Sequence, residues 1–398
     1  MNLHSSHPYW SVRNGLLQAY PPLERDVRSD AVVIGGGITG ALLSDALVRA
    51  GSTCTIIDRR DIGQGSTSAS TALLQYEIDT PLHDLAARIG RRPAERAYRL
   101  GVKAIGQIAA LCQGSDSSFA SRPSLLLARD ERALEALELE LKARRKARLD
   151  VSWVGSSELR RRYGVDRAGA IRSAVAGEVD PYRLSHWLLT RHVNGGGLRV
   201  FDRTKALAYE INSRGVVLRT DRGPTIRAKS VFFASGYETR EFFPRRIVRI
   251  RSTYATISEP MADLNWWGER ALLWETGDPY LYSRTTPDNR IIVGGEDDAI
   301  TGARERDGQL GRKAAALRRK FTNLTGRTFE SAFSWAGPFG STKDGLAYIG
   351  PHPSFPRAYF ALGFGGNGIT FSAIAARILR DLFLGKANAD AALFCFRR

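Results

Sequence analysis

Ala31-Val-Val-Ile-Gly-Gly-Gly-Ile-Thr-Gly40 is the stretch that decides the fold. Residues 31–34 are a short apolar run with polar neighbours before it and three glycines after it, the pattern of a strand buried in a parallel sheet. From 38 to 50 the apolar residues Ala41, Leu42, Ala46 and Leu47 return at helical spacing, and Gly51 stands where such a helix stops. Residues 53–57 read as a second strand, closed by Asp58. Gly35, Gly37 and Gly40 therefore fall between strand and helix, the context in which G-x-G-x-x-G spacing carries meaning. Gly35 permits a tight turn, Gly37 lets the backbone approach a pyrophosphate, and Gly40 lets helix and strand pack closely. The helix start at Ile38 and Thr39 offers N–H groups and a positive dipole end to phosphates. Asp58, about 20 residues on, is placed to accept hydrogen bonds from ribose hydroxyls. A bound dinucleotide follows, and the acid at 58 argues against the extra phosphate of NADP without separating FAD from NAD.

The rest of the chain continues in alternating style. Residues 63–71 form a Gly/Ser/Thr-rich loop, 82–112 and 129–148 carry helical patterns, and Asp180-Pro181 opens a helix over 182–193 with proline in its first turn. Strands are expected at 198–201, 206–211, 216–220, 230–234, 247–258, 280–284 and 290–294, with Asp288-Asn289 as a hairpin turn. The last helices are expected over 309–321 and 369–383. There is no repeat and no linker, so two units are expected to interleave along the chain.

Composition sets limits on function. With 398 residues, 43% of them hydrophobic and 25% charged, the chain has ordinary globular character and ample material for a core. No apolar run has the length of a signal peptide or a membrane span, which reads as a cytoplasmic protein. Cys54, Cys112 and Cys395 are too scattered for a disulfide framework, and neither they nor the six histidines have metal-ligand spacing, so no metal is expected. The net charge of +17 has no zinc-finger, RNP or helix-turn-helix signature beside it. Its short runs, 144–146 and 160–162, lie in helix-like stretches where a solvated face explains them, so no nucleic acid partner is expected.

Arg59-Arg-Asp-Ile-Gly-Gln-Gly-Ser-Thr-Ser-Ala-Ser70 resembles the loop after the dinucleotide fold in the glycine oxidase, sarcosine oxidase and D-amino-acid oxidase superfamily, where it runs past the flavin. Ser230-Val-Phe-Phe-Ala-Ser-Gly236 resembles that family's later strand and small-residue turn beside the cofactor, and Thr204-Lys-Ala206 stands where its strand meets the adenine. The most specific resemblance is C-terminal, in Trp335-Ala-Gly-Pro-Phe-Gly-Ser-Thr-Lys-Asp-Gly345 and Ala361-Leu-Gly-Phe-Gly-Gly-Asn-Gly-Ile-Thr370, which look like the flavin-ring segment. In wording these are nearest the gamma-glutamylputrescine oxidoreductase branch, as are Tyr9-Trp10 and Tyr20-Pro-Pro-Leu23.

The resemblance implies an α/β (α+β overall), glycine-oxidase-like fold, in which a Rossmann-like FAD-binding domain (1–82, 151–245, 335–398) interleaves with an antiparallel-sheet substrate domain (83–150, 246–334). It implies one FAD, held at the adenosine end by Gly35, Gly37, Ile38, Thr39, Gly40, Asp58, Arg59 and Ala206. Along its length the contacts would be Gly65, Ser66, Thr67, Ser68, Ser70, Ala234, Ser235 and Gly236, and at the ring Gly337, Gly365, Gly366, Asn367, Gly368, Ile369 and Thr370. Sarcosine-oxidase-like relatives attach flavin through a C-terminal cysteine; residues 334–348 contain none, so the FAD is expected to be non-covalent. In the family a neutral amine gives hydride to the flavin and the imine formed is hydrolysed, the electrons passing to O2 or another acceptor.

Substrate residues are expected on the strand 280–284, where alternation sets Tyr280, Tyr282 and Arg284 on one face, and at Phe339 and Lys343. Glycine-oxidase-like members clamp a substrate carboxylate with arginines at positions that correspond here to Phe339 and Gly366, and a sarcosine-oxidase-like lysine would fall at Thr370. That departure points to an amine without an adjacent carboxylate, unless Arg284 or Lys343 substitutes. The alternatives are an amino-acid oxidase or dehydrogenase of the same fold, an NAD-dependent dehydrogenase, and a nucleic-acid-binding flavoprotein.

Overall fold

Val27–Ile34 lies at the centre of a parallel sheet, flanked by Cys54–Ile57 on one side and Thr225–Phe233 on the other, in a computed structural model that describes residues 2–213, 215–243 and 247–398. Leu198–Phe201 and Phe355–Leu362 extend this sheet in parallel, and Tyr348–His352 closes one edge antiparallel. Ala31, Val32 and Val33 are fully buried because helices cover one face and the aromatic cluster around Phe233, Phe243 and Phe360 fills the other. The helices Ile38–Arg49 and Gly368–Phe383 pack side by side on it, joined at their first turns by Thr39 Oγ1 and Ser372 Oγ, 2.7 Å apart.

A second, nine-stranded sheet runs from Ser331–Ser341 through Arg249–Ser258, Ile291–Asp298, Leu281–Thr285 and Leu272–Glu275 to Ala120–Leu127, Gly169–Glu178 and Leu73–Leu74. It is antiparallel except between Leu272–Glu275 and Ala120–Leu127. Val151–Gly155 adds to the strand Gly169–Glu178. The fold is therefore mixed α/β, a Rossmann-like parallel sheet beside an antiparallel one.

The expected division of the chain runs through sheet neighbours. Residues 151–155, 169–178 and 335–341 pair within the second sheet, whereas the expected boundaries assigned them to the dinucleotide unit. The boundary at 245/246 lies outside the described residues. The helix Ala133–Lys146 caps the second sheet with Leu137 and Leu141, and it also buries charge. Arg144, fully buried, donates to Glu140 Oε1 at 2.7 Å and to Glu77 Oε1 at 3.4 Å, tying the helix to the segment that leads into the cleft described next. Among the described residues, no helix is long and apolar enough to cross a membrane.

Candidate active site

One continuous cleft opens between the two sheets and runs from the glycine turn to the start of the last helix. At its first end, Gly35 holds φ +111°, and a Cβ there would meet the Ala234 carbonyl oxygen at 2.5 Å. A Cβ at Gly40 would fall 1.9 Å from the Gly35 oxygen, so that glycine serves helix–strand packing and does not itself line the cleft. Gly37 differs. Its added Cβ would meet only the Thr67 hydroxyl, at 2.8 Å, and its surface faces the cleft.

The helix that begins at Ile38 has no side-chain cap on Gly37; Ile38 N–H donates to Thr67 Oγ1 at 2.9 Å. Asp58 lines the cleft with one oxygen accepting from Gly36 N–H (2.7 Å) and the other from Arg60 N–H (2.8 Å). Burial raises its carboxyl, and those two N–H groups oppose the rise. Arg59 and Arg60 both pair with Glu238 at this end, where Thr204, Lys205 and Ala206 complete the wall.

The middle of the cleft is a length of backbone held from behind. Trp335 Nε1 donates to Ala69 O (2.8 Å), Trp10 Nε1 to Ser70 O (2.7 Å), and the Arg284 guanidinium to Ala72 O (2.8 Å). Three donors thus pin the carbonyls of residues 69–72 and fix the loop against which a ligand would lie. Ser66 Oγ is buried with no hydrogen-bond partner among the described residues, as a hydroxyl reserved for a ligand would be. Ser68 turns away instead, donating to Gly65 O at 3.0 Å, which corrects its expected ligand role.

At the far end stand Gly337, Phe339, Gly365, Gly366, Asn367, Gly368 and Ile369, whereas Ala234 and Ser235 adjoin Gly35 at the first end and Gly236 follows them in the cleft lining. Asn367 Nδ2 donates to the carbonyls of Gln75 (3.0 Å) and Glu77 (2.8 Å), so it anchors the turn and leaves the helix N-terminus uncapped toward the cleft. Thr370 is corrected: its hydroxyl donates to Gln75 O at 3.1 Å, and it lies off the cleft.

Tyr280 and Tyr282 line the cleft together with Phe339. Arg284 does not, although it shares their face. The cleft stops before it, and Arg284 is buried over the Trp10 ring beside Glu178 while holding the 71–72 carbonyls. Lys343 is exposed on a turn outside the cleft. Residues with no sequence motif take their place: Asp79, Tyr237, Thr253 and Trp274. Asp79 opens onto the cleft with protein packed round it, accepting from Gly366 N–H at 3.2 Å and from the Tyr280 hydroxyl at 3.4 Å. Burial pushes its carboxyl up, the Asp278 charge adding to the rise against the two hydrogen bonds. The only cations among the described lining residues, Arg59, Arg60 and Lys205, belong to the opposite end. Among the described residues, no group of three or more His, Cys, Asp or Glu could hold a metal ion.

Residues 30–382 match the family model described as DAO: FAD dependent oxidoreductase. A glycine oxidase of Bacillus licheniformis is 27% identical over 370 residues, covering 90% of this chain and 94% of that protein. The gamma-glutamylputrescine oxidoreductase of Escherichia coli (strain K12) is 24% identical, covering 98% and 91%. The crystal structure of glycine oxidase from Geobacillus kaustophilus superposes with a TM-score of 0.77 at 22% identity, covering 93% of this chain and 99% of that one. Similarity therefore does not favour the putrescine branch over the glycine oxidases.

Proposed function

The chain belongs to the DAO family of FAD-dependent oxidoreductases, and from that premise we propose that it oxidises the C–N bond of an amine carrying no carboxylate on the reacting carbon, of the polyamine or gamma-glutamyl-amine type. FAD fits the cleft: the side-chain-free approach at Gly37, the unpartnered Ser66 hydroxyl and two helix N-termini suit pyrophosphate, ribityl and ring edge in turn. When bound, FAD supplies the hydride acceptor.

The residues assigned to the adenosine half are Gly35, Gly37, Ile38, Thr39, Asp58, Arg59 and Ala206. Those assigned to the flavin half are Gly65, Ser66, Thr67, Ser70, Gly337 and Gly365 through Ile369. The helix beginning at Gly368 favours negative charge at the ring end, and the pinned 69–72 backbone keeps the opposing wall fixed. Tyr280, Tyr282 and Phe339 exclude water from the reacting amine.

One observation carries the substrate reading: the ring end has an acid and aromatic rings but no cation among its described lining residues. A carboxylate brought there would meet Asp79 and find no charge-assisted partner, and a polar group left unpaired in a closed site costs orders of magnitude in selectivity. Anaerobic mixing with single amines tests this. Putrescine-type amines are expected to bleach the flavin about 100-fold faster than glycine, sarcosine or D-alanine do. Rapid reduction by a small α-amino acid with none by the amines overturns the reading.

The flavin is expected to be non-covalent. Cys54 and Cys112 are buried in cores, Cys395 is only partly buried, and none lines the cleft. Acid precipitation should leave colourless protein and free FAD in the supernatant. Yellow precipitate contradicts this.

A further inference from the structure

We propose that Asp79 is the specificity-determining residue of the substrate end, its carboxylate taking the ammonium group of a cationic amine inside a cage of aromatic rings. The inference rests on the amine reading above and adds the residue that enforces it.

Three groups converge on the backbone at Gly366. A Cβ built there would lie 3.1 Å from Asp79 Oδ1, 3.3 Å from the Tyr280 hydroxyl and 3.9 Å from the Phe339 ring. One acid, one phenol and one phenyl ring thus share a space that only glycine leaves open. The aromatic wall continues behind them, with the Tyr280 and Tyr282 ring centroids 5.8 Å apart and Trp274 set edge-on to Tyr280 at 6.5 Å. Such faces attract an alkylammonium through their quadrupoles, and they bind its methylene groups by burial.

Asp79 has the unmet need that such a ligand would satisfy. Its two protein partners are neutral donors at 3.2 and 3.4 Å, and among the described residues it forms no ion pair. The charges around it make matters worse. Asp297, pushed up to about 6 chiefly by burial, leaves its Oδ1 buried without a hydrogen-bond partner among the described residues, and Asp278 is offset by Arg251 at 2.8 Å. Burial raises the phenols of Tyr237, Tyr280 and Tyr282, so they stay neutral and can donate hydrogen bonds. A carboxylate that faces the open cleft with acids for neighbours and no ion-pair partner among the described residues gains a charge partner when an ammonium arrives.

The bland role for Asp79 is to brace the 365–366 turn, and Asp79→Asn separates the two. Asparagine keeps one oxygen for Gly366 N–H and turns its NH2 to the Tyr280 oxygen, so it removes the charge and reverses only the long 3.4 Å bond. The probe is butyltrimethylammonium, which has no nitrogen lone pair and is not consumed. It is titrated into FAD-loaded protein while the flavin spectrum and melting temperature are followed, with acetate as the anionic control. Wild type is expected to bind the cation and not acetate. Asp79→Asn should bind it about 10- to 100-fold more weakly, with FAD content and ligand-free melting temperature unchanged, and Asp79→Glu should recover part of the loss. No cation binding by wild type, or equal binding by Asp79→Asn, overturns the proposal. Failure of the amine reading shows separately, as flavin reduction by glycine with none by 1,4-diaminobutane.

Discussion

Gly37→Val is expected to give a folded protein with no bound flavin. The three motif glycines resist substitution for different reasons, and only Gly37 is free of the fold's own demands. At Gly35 a side chain strains a backbone at φ +111° and strikes the Ala234 carbonyl; at Gly40 it strikes the Gly35 carbonyl at 1.9 Å. Both obstacles are backbone and cannot step aside, so substitutions there damage sheet–helix packing together with the cofactor site. At Gly37 the obstacle is the Thr67 hydroxyl, a side-chain atom that can turn aside at the loss of its bond from Ile38 N–H, and the backbone has ordinary dihedrals of φ −80° and ψ −172°. The valine methyls then occupy the approach that the pyrophosphate needs. The measurements are the FAD-to-protein ratio from the visible spectrum and the melting temperature beside that of flavin-stripped wild type. Flavin should fall to background while the melting temperature stays within a few degrees of the stripped protein. A yellow, fully loaded Gly37→Val protein sinks the assignment of this turn.

That turn was legible because its strand, glycines, helix and acid lie within one local stretch and each obeys a local rule. The second sheet was much less so. Gly169–Glu178 pairs with neighbours on both sides and is buried in runs, without the alternation that marks a half-exposed strand. Ser331–Ser341 contains Pro338 and two glycines, which argue against a strand, yet it is an edge strand, and there a missing N–H costs no ladder bond. Alternation groups Arg284 with Tyr282 on the strand Leu281–Thr285, but periodicity does not say where a cavity ends. Asp79 has no motif at all. It matters because Gly366, nearly 300 residues later, folds back against it, a contact no local pattern announces.

Arg144→Met should cost about 3–5 kcal/mol of stability at neutral pH, the penalty for stripping the counter-charge from buried carboxylates. Arg144 is fully buried between Glu77, 3% exposed, and Glu140, 1% exposed. Burial alone would push the Glu140 carboxyl up. Arg144, the His83 ring at 2.8 Å and Leu82 N–H at 2.9 Å overcome that and hold it at about 2. A depressed carboxyl contributes stability that is fully present above its unfolded value of 4.5 and is lost as pH falls toward about 2. With methionine at 144 the cost of burying the charge dominates, Glu140 takes up a proton at higher pH, and the wild-type advantage narrows as pH falls. Urea melts at saturating FAD, at about pH 7.5 and about pH 4, should show the gap closing by up to about 1.4 kcal/mol per pH unit for one proton. The cofactor should feel the loss as well. Glu77 belongs to the cleft wall, and its carbonyl accepts from Asn367, which anchors the turn at the ring-end helix. Freeing Glu77 from Arg144 therefore loosens the support of that helix start, and FAD should dissociate from the variant more readily than from wild type. Equal stability of the two proteins at neutral pH, or a gap that does not change with pH, contradicts the ion-pair account.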